Sequence, residues 1–191
     1  MSVFAAIDFE TSGRERHSAC SVGLVRIEDG VLTGTYCTLI RPPSSRVEFT
    51  WVHGLTWSVL KDAPTFPEVW PEMQAFLEGA QGFVAHNAPF DRGVLEACCQ
   101  AFGCPNPNLP FYCTLKGARA HLNLPSRGLD VVCAHYGIPL RHHDALSDAE
   151  GSARIFVRMQ REGLAPEAML LGPKAKPKCA GARTRRPRST A

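Results

Sequence analysis

No two cysteines in this 191-residue chain are spaced as CxxC, and that absence removes the commonest zinc frameworks. Cys98 and Cys99 are adjacent, while Cys104 and Cys113 lack the close spacing of paired ligands. The first ten residues, MSVFAAIDFE, hold two acids and no cationic leader, so an export signal is not expected. Without one, the eight cysteines read mostly as small, reduced core residues rather than as a disulfide scaffold. No apolar run approaches the roughly 20 residues of a membrane span. These absences predict a cytoplasmic, reducing setting and no membrane partner.

Acids are missing altogether from residues 172–191, GPKAKPKCAGARTRRPRSTA, which carry three Lys and four Arg. The whole chain has a net charge of +3, which leaves residues 1–171 with 14 bases against 18 acids. Composition therefore predicts one globular domain over 1–171 and a basic, disordered tail over 172–191. The tail has two readings: a flexible polycation that attracts phosphates without regard to sequence, an attraction that weakens with salt, or a solvated tail that keeps the protein soluble.

What is present reads as an α/β chain. SVFAAIDFETSG, ACSVGLVRI and TGTYCTLIRPP are β-rich runs, and EDG between the last two supplies a turn, so an antiparallel meander is expected. EFTWVHGLTWSVLKDAP suits a loop with about one helical turn. In TFPEVWPEMQAFLEGA, Val69, Met73, Phe76 and Leu77 recur at helical spacing, with the prolines in or near the first turn. GFVAH reads as a short buried strand that turns at Asn87 into a helix with Pro89 in its first turn. TLKGARAHL and LDVVCAHYGI are shorter helical runs. SDAEGSARIFVRMQREG is a helix with Ala149, Ala153, Phe156 and Val157 on one face and Gly163 at its end.

Four acids fall at the edges of four of these elements. Asp8 and Glu10 alternate in DFE, so an extended backbone points both to one side. Two such neighbours repel unless a cation joins them. Asp91 follows a strand and turn, where open α/β sheets gather ligand groups. Asp148 begins the last long helix. Hard oxygen donors in this number suit Mg²⁺ or Mn²⁺.

Together, DFET, HNAPFD and HHDALSD resemble the three motifs of the DEDDh exonuclease family, which has an RNase H-like fold and is typified by the proofreading epsilon subunit of bacterial DNA polymerase III. The likeness runs in order over roughly residues 3–160 and includes VHGLT at 52–56. It implies a central, mixed five-stranded sheet flanked by helices, and a 3′–5′ exonuclease that releases nucleoside 5′-monophosphates with two divalent cations, Mg²⁺ or Mn²⁺. Its acidic set falls on Asp8, Glu10, Asp91 and Asp148. Its general base falls on His143, which has the HxxxxD spacing to Asp148, so His142 is expected to be dispensable. Ser12 stands where a second Thr is frequent, and Cys98–Cys99 is unusual in its helix, but neither touches the acidic set.

The same resemblance places substrate contacts at Thr11, Ser12, His53 and Leu55, and in the HNAPFD segment at Asn87 and Phe90. Phe9 is included with them, although alternation turns its side chain away from the two acids and toward a core. Trp51 and Trp57 are read as anchors of the VHGLT loop or as stacking surfaces. The implied partners are DNA 3′ ends, single-stranded or frayed, with RNA possible because the motifs do not read the sugar. A DNA polymerase or a second copy of the chain are the protein partners to consider. An exoribonuclease and a polymerase-bound accessory binding module remain alternatives.

Overall fold

The computed structural model describes residues 1–173; the basic tail beyond Pro173 lies outside the described residues. Strands β1 (Val3–Thr11), β2 (Ala19–Glu28), β3 (Val31–Leu39), β4 (Phe83–Ala85) and β5 (Phe111–Cys113) form one sheet in the order β3-β2-β1-β4-β5. The first three pair antiparallel as the expected meander, closed by left-handed backbone at Asp29 and Gly30. β4 and β5 add in parallel, which completes the mixed five-stranded sheet. β5 is only FYC, too short for its alternation to be legible as a strand.

Among the described residues seven α-helices flank the sheet: α1 (Thr50–His53), α2 (Trp57–Leu60), α3 (Phe66–Phe76), α4 (Pro89–Phe102), α5 (Thr114–His121), α6 (Leu129–Tyr136) and α7 (Ala145–Arg161). Thr65 and Glu68 form a reciprocal cap at the start of α3. Pro71 lies inside that helix rather than in its first turn, so one ladder bond is missing there. Phe66 and Trp70 join Val69 and Met73 on its buried face, while Phe76 is only partly covered. α7 starts at Ala145, ahead of SDAEG, because Asp144 caps it by accepting from the Ser147 N–H at 3.0 Å. Among the described residues no helix is long and apolar enough to cross a membrane.

The alternation of β1 decides where the site forms. Ala5, Ile7 and Phe9 enter a core with Val69 and Met73 of α3 and Val94 and Leu95 of α4. Phe4 and Ala6 enter a second core with Val132 of α6 and Ala149, Ala153 and Phe156 of α7. Asp8 and Glu10 are the next two positions on that second side, so they emerge where α7 begins.

Close approach of α7 to the sheet depends on Gly23. It pairs with Asp8 in the β1–β2 register, and a Cβ there would collide with the backbone of Ala145 and Leu146. The backbone cannot yield without moving the first turn of α7, which carries Asp148. Gly23→Ala is therefore expected to destabilise the protein by about 1–3 kcal/mol in denaturant titration. A change within about 0.5 kcal/mol, the range of an ordinary surface substitution, would show that α7 does not need this clearance.

Candidate active site

Three elements deliver four acids to one end of the sheet. Carboxylate oxygens of Asp8, Glu10 and Asp148 lie within 4.8 Å of one another. Asp91, in the first turn of α4, stands beside this trio and is 1% exposed. Its Oδ1 accepts the Phe9 backbone N–H at 3.1 Å, which fixes it to the strand carrying Asp8 and Glu10. A left-handed turn at Asn87 (φ 67) and Pro89 at the start of α4 bring the chain round from β4 to make this possible.

Crowding shows in the proton affinities. Burial, then the charges of Asp91, Asp148 and Glu10, holds the Asp8 carboxyl well above the usual carboxylate range. Burial and the nearby Asp148 push Glu10 up to about 7. Asp91 is pushed up to about 8, mainly by burial, even though the Phe9 N–H favours its charged form. Burial also raises Asp148, against the opposing pull of His142 and the His143 N–H.

Asp148 Oδ1 is buried without a hydrogen-bond partner among the described residues. A carboxylate that keeps one oxygen orphaned and stands within 4.8 Å of two further carboxylates fits a hard divalent cation, because oxygen donors of this kind are what Mg²⁺ and Mn²⁺ take.

This arrangement has a thermodynamic consequence. A carboxyl whose pKa is higher folded than unfolded binds more protons when folded, so stability falls as pH rises through that window. The window runs from 4.5 to about 7 for Glu10 and from 3.8 to about 8 for Asp91. In EDTA, the melting temperature is expected to drop between about pH 5 and about pH 8, and added Mg²⁺ should flatten that slope. A melting temperature that climbs with pH across this range in EDTA would contradict the reading.

Both histidines lie against Asp148. His143 has left-handed backbone (φ 67) and gives its N–H to Asp148 Oδ2 at 3.1 Å. Its neighbour His142, expected to be dispensable, places Nδ1 2.9 Å from the same oxygen. The two rings stack with centroids 4.0 Å apart.

A cleft of about 220 Å³ opens beside the acids, lined by Glu10, Ser21, Cys37, Leu39, His53, Leu55, His143 and Asp144 with Ala145. The His53-Gly54-Leu55 turn is well tied. His53 Nδ1 accepts the Leu55 N–H at 3.0 Å, Thr50 Oγ1 donates to the Leu55 carbonyl at 3.0 Å, and Gly54 adopts left-handed backbone (φ 75). Burial lowers the pKa of His53, which keeps that nitrogen free to accept. A larger cleft of about 470 Å³ lies near the β2–β3 turn between Val31, Tyr136 and Arg158, with no carboxylate in its lining. Of the two, only the smaller cleft is lined by a member of the acidic set, Glu10.

Several expected contacts are corrected by burial. Phe9 is 2% exposed within the core, so its ring cannot meet a ligand. Thr11 and Ser12 are buried as well, and both backbone groups of Ser12 are already paired, with Ser18 and Glu48. Asn87 and Phe90 are exposed, as a substrate contact requires. Trp51 is 83% exposed and anchors nothing, whereas Trp57 is half-buried. Among the described residues five cysteines are buried thiols, and Cys37 is exposed. Sequence reading passed over Gly23, although a glycine inside a strand signals close backbone approach.

Comparison with known proteins agrees with this geometry. Residues 5–156 match the RNase T family, described as exonuclease. A PolC-type DNA polymerase III from Thermotoga petrophila is 35% identical over 162 residues, covering 82% of this chain. The chain spans only 12% of that polymerase's length. The DNA polymerase III subunit epsilon of Escherichia coli is 31% identical over 169 residues, covering 80% of this chain and 69% of the subunit. Among solved structures, exonuclease X in complex with 5′ overhanging duplex DNA superposes with a TM-score of 0.71 at 24% identity, covering 87% of this chain and 96% of that one.

Proposed function

The chain belongs to the RNase T exonuclease family, and from that membership we propose that it is a metal-dependent 3′–5′ exonuclease of the DEDDh type, acting on single-stranded or frayed DNA ends. The observation that carries this reading is the meeting of Asp8, Glu10 and Asp148 within 4.8 Å, with Asp91 and His143 at its margin.

Asp8, Glu10, Asp91 and Asp148 would hold two divalent cations, Mg²⁺ or Mn²⁺. Bound there, these would neutralise the phosphodiester, whose negative charge otherwise slows attack by water. His143 takes a proton from the attacking water, as a positioned imidazole can through a ring nitrogen free to accept. The water oxygen bonds to phosphorus, the bond from phosphorus to the penultimate 3′ oxygen breaks, and that oxygen leaves and is protonated. The terminal residue departs as a nucleoside 5′-monophosphate. Leu55, held by His53 across the cleft from His143, packs against the last base, and Asn87 and Phe90 form the outer contacts.

Similarity to the polymerase III chains makes a DNA polymerase the protein partner to test, by co-purification. The activity itself is tested by a time course on 3′- and 5′-labelled single-stranded DNA and a matched RNA, with Mg²⁺, Mn²⁺ or EDTA. Metal-dependent shortening from the 3′ end of DNA is the expected result. Degradation of RNA alone would reassign the substrate, and cleavage from the 5′ end would overturn the mechanism.

A further inference from the structure

Asp148 uses its two oxygens differently. Oδ2 takes two donors, the His143 N–H at 3.1 Å and His142 Nδ1 at 2.9 Å. Oδ1 has none among the described residues, although it is buried. A carboxylate oxygen offers about two lone-pair directions, so Oδ2 is saturated and Oδ1 is left bare.

We propose that His142 is a positioning residue for the metal centre: by holding Oδ2 it fixes the Asp148 carboxylate so that bare Oδ1 serves the trio with Asp8 and Glu10. This inference rests on the metal reading above. Without His142, Asp148 would keep a single backbone donor and could rotate about its terminal torsion, which is broad and weakly restrained in Asp. Outer partners that orient ligating groups in this way commonly govern metal affinity strongly. The stack of His142 on His143 carries the same restraint to the base, since the two rings lie 4.0 Å apart at 13°. His142 does not have to touch the phosphodiester to act. Its side chain is 44% exposed, so its removal leaves the core intact.

The test is Mn²⁺ affinity of the full chain, measured by calorimetry at fixed pH for the wild type, His142→Ala, His142→Asn and Asp148→Asn. His142→Ala is expected to raise the Kd about tenfold. His142→Asn, whose amide can donate from the Nδ1 position, should return it to within about threefold of the wild type. A single cooperative melting transition in EDTA, kept by the wild type and both His142 variants, separates this effect from misfolding. An equal or tighter Kd in His142→Ala, with binding still lost in Asp148→Asn, overturns the role of His142 and leaves the metal reading standing. Absence of Mn²⁺ binding in the wild type overturns both.

Discussion

Asp8→Asn is expected to lose at least about 10³-fold in turnover while gaining thermal stability in EDTA. The loss follows from position. Asp8 lies between its neighbours, and its proton affinity responds to Asp91, Asp148 and Glu10 together. Removing its charge takes away the carboxylate common to the cluster, and a 10³-fold loss corresponds to about 4 kcal/mol of the barrier. The gain follows from the same crowding: folding brings buried acids together that repel one another, and a neutral isostere relieves that repulsion. Parallel measurements of turnover with Mg²⁺ and of the melting temperature with EDTA check both halves. A variant that is inactive and also less stable in EDTA would mean that Asp8 is held by compensating contacts rather than strained by like charge.

His143→Ala should separate chemistry from metal binding. Removing a positioned general base typically costs about 10²–10⁴ in rate. The variant keeps its backbone N–H, which is the group that touches Asp148 Oδ2. Its Mn²⁺ Kd should therefore stay within about threefold of the wild type. Unchanged turnover would remove His143 from the base role, and a large loss of Mn²⁺ affinity would make it a ligand instead.

Much of this is legible in the sequence because it depends on local periodicity. The meander, the main helices and the shared side of Asp8 and Glu10 follow from runs long enough to show a period of two or of 3.6. β5 was hidden because three residues carry no period, and it exists through its parallel pairing to β4. The burial of Thr11 and Ser12 is not legible in the same way, because Ser12 is tied through its carbonyl to the N–H of Glu48, which is distant in sequence. The spacing HxxxxD singled out His143, yet spacing cannot say which imidazole reaches Asp148. In the structure the backbone at His143 is left-handed and the His142 ring is the one that reaches the carboxylate. Gly23 was readable in principle, but only the α7 crossing shows what its missing side chain makes room for.

The most direct test of the central claim is mass spectrometry of the products released from a single-stranded DNA oligonucleotide in heavy-oxygen water, with Mg²⁺ and with EDTA. Water attack directed by the acidic site predicts mononucleotides carrying one heavy oxygen on a 5′-phosphate, formed only with Mg²⁺. Products bearing a 3′-phosphate, or the same mononucleotides formed equally in EDTA, would contradict it.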